Sequence, residues 1–200
     1  MVGFVGFTER TFLASEWESR RLRRAPRTVV AYHGCSRVTA EQIIAGEPFL
    51  PSTRRYDWLG VGIYFWEYGP FRDREWAEIR FGDEAAVLEA TIRLGWCLNL
   101  LDIEHHANFA KAYERTVQQA ARDGTTVPEN TEDGRHYRDR HLIEFYCRSA
   151  VEDMRVQFQT VRACYPEGEP LFPGSRLLSR THVQIAVRDQ RCISRLRRVR

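Results

Sequence analysis

At 200 residues, 43% hydrophobic and 28% charged, the chain has enough apolar material for one domain with a sizeable core and no need of disulfides or metal. Net charge is only +3, yet the basic side is unusual: Lys111 is the one lysine among 30 basic side chains, and every other is arginine. No apolar run approaches the roughly 20 residues of a membrane span, so a membrane protein is not expected.

The start, Met1-Val2-Gly3-Phe4-Val5-Gly6-Phe7, has neither the basic leader nor the apolar length of an export signal. Five scattered cysteines (Cys35, Cys97, Cys147, Cys164, Cys192) form no Cys-x-x-Cys pair, which fits reduced, mostly buried thiols in a cytoplasmic protein. Arginines gather at 20–24 and 195–200. Arginine binds phosphate and carboxylate in a planar fork, so these runs suit a nucleic acid or an acidic partner, or simply a solvated surface.

Residues 1–27 read as a peripheral segment, with a helix over Ser15 to Arg24 that stops before Pro26. Thr28-Val29-Val30-Ala31-Tyr32 is β-branched and apolar, hence a buried strand. Thr39-Ala40-Glu41-Gln42 has the spacing of a capping box, and Ile43, Ile44 and Gly46 complete a short helix. A loop with Ser52, Arg54 and Arg55 leads through Gly60 and Gly62 to a second strand, Ile63 to Trp66. A helix is expected from about Arg72 to Arg80, stopped by Gly82, then strands over Ala86–Ile92 and Trp96–Leu100.

Phe109, Tyr113, Val117 and Ala120 mark a helix that Gly124 ends, and Leu142, Phe145, Tyr146 and Ala150 stripe another over Tyr137 to Asp153. Val156 to Val161 alternates like a strand, a Pro/Gly loop covers Pro166 to Gly174, and His182 to Val187 is a last strand. The whole is a single α+β domain with a helical insertion at 103–153.

Three stretches carry chemistry together: Tyr32-His33-Gly34, Gly60 to Trp76 containing Gly62-Ile63-Tyr64-Phe65-Trp66, and His182 to Asp189. This pattern resembles the diphtheria-toxin and poly(ADP-ribose) polymerase class of ADP-ribosyltransferases. The resemblance implies a split mixed or antiparallel β-sheet core and NAD as co-substrate. His33 would bond the adenosine ribose, the Gly34 backbone the nicotinamide amide, and Tyr64 would stack on the nicotinamide ring with Trp76 as a second aromatic. Ser52, Arg55 (or Arg54), Gly62 and Phe65 complete the expected NAD contacts, with the arginine on the diphosphate.

The family's late-strand glutamate falls at Gln184, an H-Y-Q variant of an H-Y-E constellation. Glutamine can bond a ribose hydroxyl but brings no charge to stabilise a cationic sugar, a loss of about 1 kcal/mol or more. Chain extension is therefore not expected, and single transfer is. Glu144 and Glu169 are candidates for the missing carboxylate.

Compact members of the class are often toxins of toxin–antitoxin or phage-defence systems. The expected partners are a macromolecular acceptor (RNA first, or DNA or protein) and a neutralising antitoxin. An NAD glycohydrolase, a catalytically weak NAD- or ADP-ribose-binding module, and an RNA-binding accessory protein are the competing readings. His105-His106 and His136/His141 lack the i, i+4 spacing and the accompanying cysteines of a metal site, and no metal is expected. No Rossmann or P-loop glycine fingerprint is present, so hydride transfer is not indicated.

Overall fold

Strand β1 (Ala25–Ser36) owes its length to the β-branched run Thr28-Val29-Val30, and it pairs antiparallel with β3 (Ala85–Gly95) from Thr28↔Arg93 to Ser36↔Ala85. The pleat sends Val29, Ala31 and Cys35 to the same face as Leu88, Ala90 and Ile92. Helix α1 (Arg37–Ile44) closes that face with Ala40 and Ile43, helped by Phe49. In this computed structural model residues 25–132 and 134–199 are described; the Ser15–Arg24 helix expected from sequence lies outside them.

Strand β2 (Ile63–Glu67) meets β1 over only two residue pairs, Ala31↔Glu67 and Tyr32↔Trp66. On its other side it pairs along its whole length with β6 (His182–Val187). Strand β5 (Thr160–Tyr165) runs antiparallel to β6 and parallel to the short β4 (Cys97–Asn99), and β7 (Ile193–Arg198) flanks β3. The result is a mixed α+β fold with one seven-stranded mixed sheet in the order β4-β5-β6-β2-β1-β3-β7.

The parallel β4/β5 pair explains the helical section. A parallel pair needs a crossover of a dozen or more residues, and helices α3 (His106–Arg122) and α4 (Tyr137–Met154) supply it. They bury Ala112, Leu142, Ile143, Tyr146 and Ala150 against Leu98, Val161, Ala163 and Ala186, making a second core on the opposite face of the β4-β5-β6 half. Helix α2 (Pro70–Phe81), with proline in its first turn, lies on the same face above β1.

Several expectations shift. The cap of α1 is Ser36, whose hydroxyl accepts from the Thr39 amide at 3.1 Å, so the helix begins two residues before Thr39. The alternating text from Val156 is strand only from Thr160 onward. Arg155 ends α4 in the left-handed region, and Gln159 spends its backbone on Trp96, Arg188 and Asp189. Part of the C-terminal arginine run is an edge strand: Arg197 forks onto Glu89 with bonds of 2.7 and 2.6 Å. Of the cysteines, Cys164 alone is exposed, and none is paired.

Candidate functional site

Beyond Tyr32↔Trp66 the sheet opens. β1 continues with β3 and β2 with β6, leaving a seam that is bridged by a side chain: His33 Nδ1 donates to the Tyr64 carbonyl at 2.8 Å. That bond fixes Nδ1 as the protonated nitrogen and leaves Nε2 as an acceptor. Burial lowers the imidazole pKa, only partly offset by the Tyr64 carbonyl, so the ring is neutral near pH 7. Phe49 and Phe65 hold its orientation, with ring centroids 5.2 and 5.4 Å away.

A cavity of about 760 Å³ lies along the seam, within the size range of small-molecule sites. His33, Gly34, Ser52, Gly62, Tyr64, Trp76 and Gln184 all line it, so the three distant stretches of sequence do converge. Two expected contacts do not. Phe65 is fully buried on the core side of β2, because it alternates with Tyr64, and Arg55 is off the lining while Arg54 is on it.

Tyr64 is committed at its tip. Its hydroxyl donates to the Gly60 carbonyl at 2.8 Å and accepts from the Leu59 amide at 3.0 Å, so the ring is stapled to the turn that precedes its own strand. Burial raises its pKa well above normal, with Asp57 adding to the effect, and it remains a neutral phenol. Gly34 is bare for a reason other than ligand approach. A Cβ there would lie 3.0–3.1 Å from Ala77 Cβ, Asp73 Oδ1 and Trp76 Cε3, so the glycine lets α2 settle directly onto β1. Trp76 thereby reaches the cavity, 5.4 Å from the Trp66 ring and covered by the Arg80 guanidinium.

Gln184 is 9% exposed and directly opposite Trp66 in the β2/β6 register. Its Oε1 accepts from the Trp58 indole at 2.6 Å. The indole can only donate, so the carboxamide oxygen must face it, and Nε2 is the donor that Gln184 can offer the cavity.

Neither proposed carboxylate supplies the site. Glu144 sits beneath the turn, accepting from the Val61 amide at 2.6 Å and from Arg188 at 2.8 Å. Burial opposes ionisation there, but Arg188 and the amide win and hold the carboxyl below its usual range. Glu169 is exposed away from the cavity. The carboxylates on the lining are Asp57 and Glu167. Asp57 Oδ2 is closed to solvent with no hydrogen-bond partner among the described residues, whereas Glu167 pairs with Arg72 at 2.7 Å.

No family model, curated protein or solved structure matches this chain.

Sequence reasoning missed the far wall. Trp58, Tyr165, His136 and His182 form an aromatic group beside Gln184, with Trp58 and Tyr165 ring centroids 4.9 Å apart and Tyr165 and His182 5.4 Å apart. Trp58 stands in the turn before β2, and its partner Gln184 lies 126 positions away. His136 and Tyr165 carry no local signal, since only the α4-to-β5 path brings them together. Elsewhere, His105 is buried against Phe158, and the exposed His106 bonds the Leu100 carbonyl at 3.1 Å. Among the described residues no cluster of three or more His, Cys, Asp or Glu could hold a metal ion, and no helix is long and apolar enough to cross a membrane.

Chemically, the cavity offers a neutral imidazole acceptor, a carboxamide donor, two aromatic faces and a half-buried carboxylate, Asp57. These groups suit a flat, partly cationic ring joined to a hydroxyl-bearing sugar.

Proposed function

We propose that this chain is a mono-ADP-ribosyltransferase that cleaves NAD at the nicotinamide–ribose bond and passes ADP-ribose to a macromolecule, RNA first. The observation that carries this reading is the convergence of His33, Gly34, Tyr64, Trp76 and Gln184 on one cavity at an opening between β1 and β2, the kind of seam a split-sheet ADP-ribosyltransferase needs.

In this reading His33 Nε2 accepts from a ribose hydroxyl, and Tyr64 and Trp76 flank the pyridinium ring. As the bond breaks, the electron pair leaves with nicotinamide and positive charge builds on the ribose. A group is useful here only if it stabilises that charge more than the ground state. Gln184 orients the sugar through its amide. Asp57, whose negative charge already acts on the Tyr64 phenol, supplies the field that a glutamate at position 184 would have given. Arg54 and Arg80 on the lining suit the diphosphate and the phosphate backbone of an RNA. A protein of this kind acts as a toxin or phage-defence effector, kept in check by a neutralising partner.

The test is incubation of purified protein with NAD labelled in the ADP-ribose part, together with cellular RNA, DNA or protein, following nicotinamide release and label transfer. Labelled RNA is the expected result. Nicotinamide release with no labelled macromolecule makes the protein an NAD glycohydrolase. A second reading, an NAD- or ADP-ribose-binding module without turnover, is favoured by Gln184, whose carboxamide oxygen is already taken by Trp58. Binding with no nicotinamide release would establish it.

A further inference from the structure

With no carboxylate at position 184, the proposed transfer lacks an obvious group to take the proton from the attacking nucleophile. One arrangement on the cavity wall is built for that task. His136 Nδ1 lies 2.7 Å from Asp139 Oδ2, and its Nε2 lies 2.8 Å from the Tyr165 hydroxyl. A carboxylate on one side fixes the tautomer: Nδ1–H donates to Asp139, so Nε2 accepts from Tyr165. Asn130 Nδ2 holds the same Asp139 oxygen at 2.9 Å. The chain Asp139–His136–Tyr165 therefore runs from the surface inward, with His136 and Tyr165 on the lining.

Its position in the sheet matters as much as its chemistry. His33, Tyr64, Gln184 and Tyr165 stand on β1, β2, β6 and β5, four consecutive strands in the sheet order. Tyr165 pairs with His182, two residues before Gln184, and so projects from the same face. A dinucleotide held between β1 and β6 leaves Tyr165 on the side from which an acceptor approaches. Burial, with the charges of Glu167 and Asp139, raises the Tyr165 pKa, so the phenol needs a partner to take its proton before it can act as a base.

We propose that Tyr165, through His136 and Asp139, is the general base that activates the acceptor, and that the acceptor atom is a neutral hydroxyl rather than a carboxylate or phosphate. This rests on the transferase reading above. The acceptor O–H gives its proton to Tyr165 Oη while the Tyr165 proton passes to His136 Nε2. The oxygen lone pair forms the new bond to the ribose carbon as the bond to nicotinamide breaks, and the electron pair of that bond leaves with nicotinamide. The imidazolium, stabilised by Asp139, later loses its proton to water. Tyr165 is the catalytic residue, His136 positions it and takes its proton, and Asp139 orients His136.

The test compares wild type with Tyr165→Phe and His136→Ala, using labelled NAD and cellular RNA, with and without sodium azide. Azide is an anion and needs no base. Tyr165→Phe keeps the ring and its packing, so loss of fold is not in question for that variant. Transfer to RNA should fall about a hundredfold, as for loss of a general base, while ADP-ribosyl azide formation stays within about twofold of wild type on the same scale. Undiminished RNA labelling in both variants overturns the proposal and points to an anionic acceptor atom. A parallel fall in the azide product also overturns it, since that is the mark of a merely structural tie. A wild type that releases no nicotinamide under any condition fails earlier, at the transferase reading, and removes the basis for the base as well.

Discussion

Asp73 offers the sharpest physical test of how the site is held together. It sits in the first turn of α2, fully buried beneath Gly34, and neither carboxyl oxygen has a hydrogen-bond partner of good geometry among the described residues. Burial pushes its pKa up to about 8, with the Gly34 amide and Arg72 opposing only in part. An unfolded aspartate titrates near 3.9. Folding therefore takes up a proton between about pH 4 and pH 8, and stability is greatest below that window and falls as pH rises through it.

About four pH units at 1.36 kcal/mol each gives up to about 5 kcal/mol, a large share of a typical domain's stability. The measured loss is capped by the cost of lifting α2 off Gly34 to let water reach the carboxylate. Asp73→Asn keeps the shape and removes the titration. Urea unfolding at pH 5 and pH 9 should show wild type losing several kcal/mol more than the variant across that interval. Equal pH dependence in the two proteins would refute the buried, protonated carboxyl.

Gly34→Ala should lower stability by about 1–3 kcal/mol, because α2 and Trp76 must move back by a few tenths of an ångström; differential scanning fluorimetry reads this directly. Glu144→Ala leaves the Val61 amide and Arg188 without their shared acceptor, and a loss of about 2 kcal/mol in urea unfolding is expected, with a slackened turn at Gly60. Gln184→Glu keeps the bond to Trp58 and adds a charge facing the cavity, so nicotinamide release should rise about tenfold. No change in that variant would mean that Gln184 does not face the reacting sugar.

Much of the fold was legible because it is local. The Ile63 and His182 strands and the Tyr137 helix begin where periodicity and glycine signals put them. What escaped was long-range. The 103–153 section reads as an insertion in sequence, and only the parallel β4/β5 pairing reveals it as a crossover that builds half the core. β7 was hidden because arginines at 195, 197 and 198 look like a solvated run, while its inward residues Ile193 and Leu196 are out of simple alternation. At the site, Phe65 was one residue off: next to Tyr64 in sequence, it faces the other side of the sheet. Trp58, His136 and Tyr165 depend on contacts that no local pattern encodes.

The strand that closes the sheet beyond β3 has a consequence for how two copies would meet. Edge-to-edge pairing of β7 with itself would set Arg195, Arg197 and Arg198 of one copy against those of another, with Arg197 forked onto Glu89 and Arg198 held more loosely, 4.0 Å from Glu41. Such a ribbon is repelled at low ionic strength, and the repulsion fades as salt shortens its reach. The opposite edge, β4, is three residues long and gives a visiting strand little to grip.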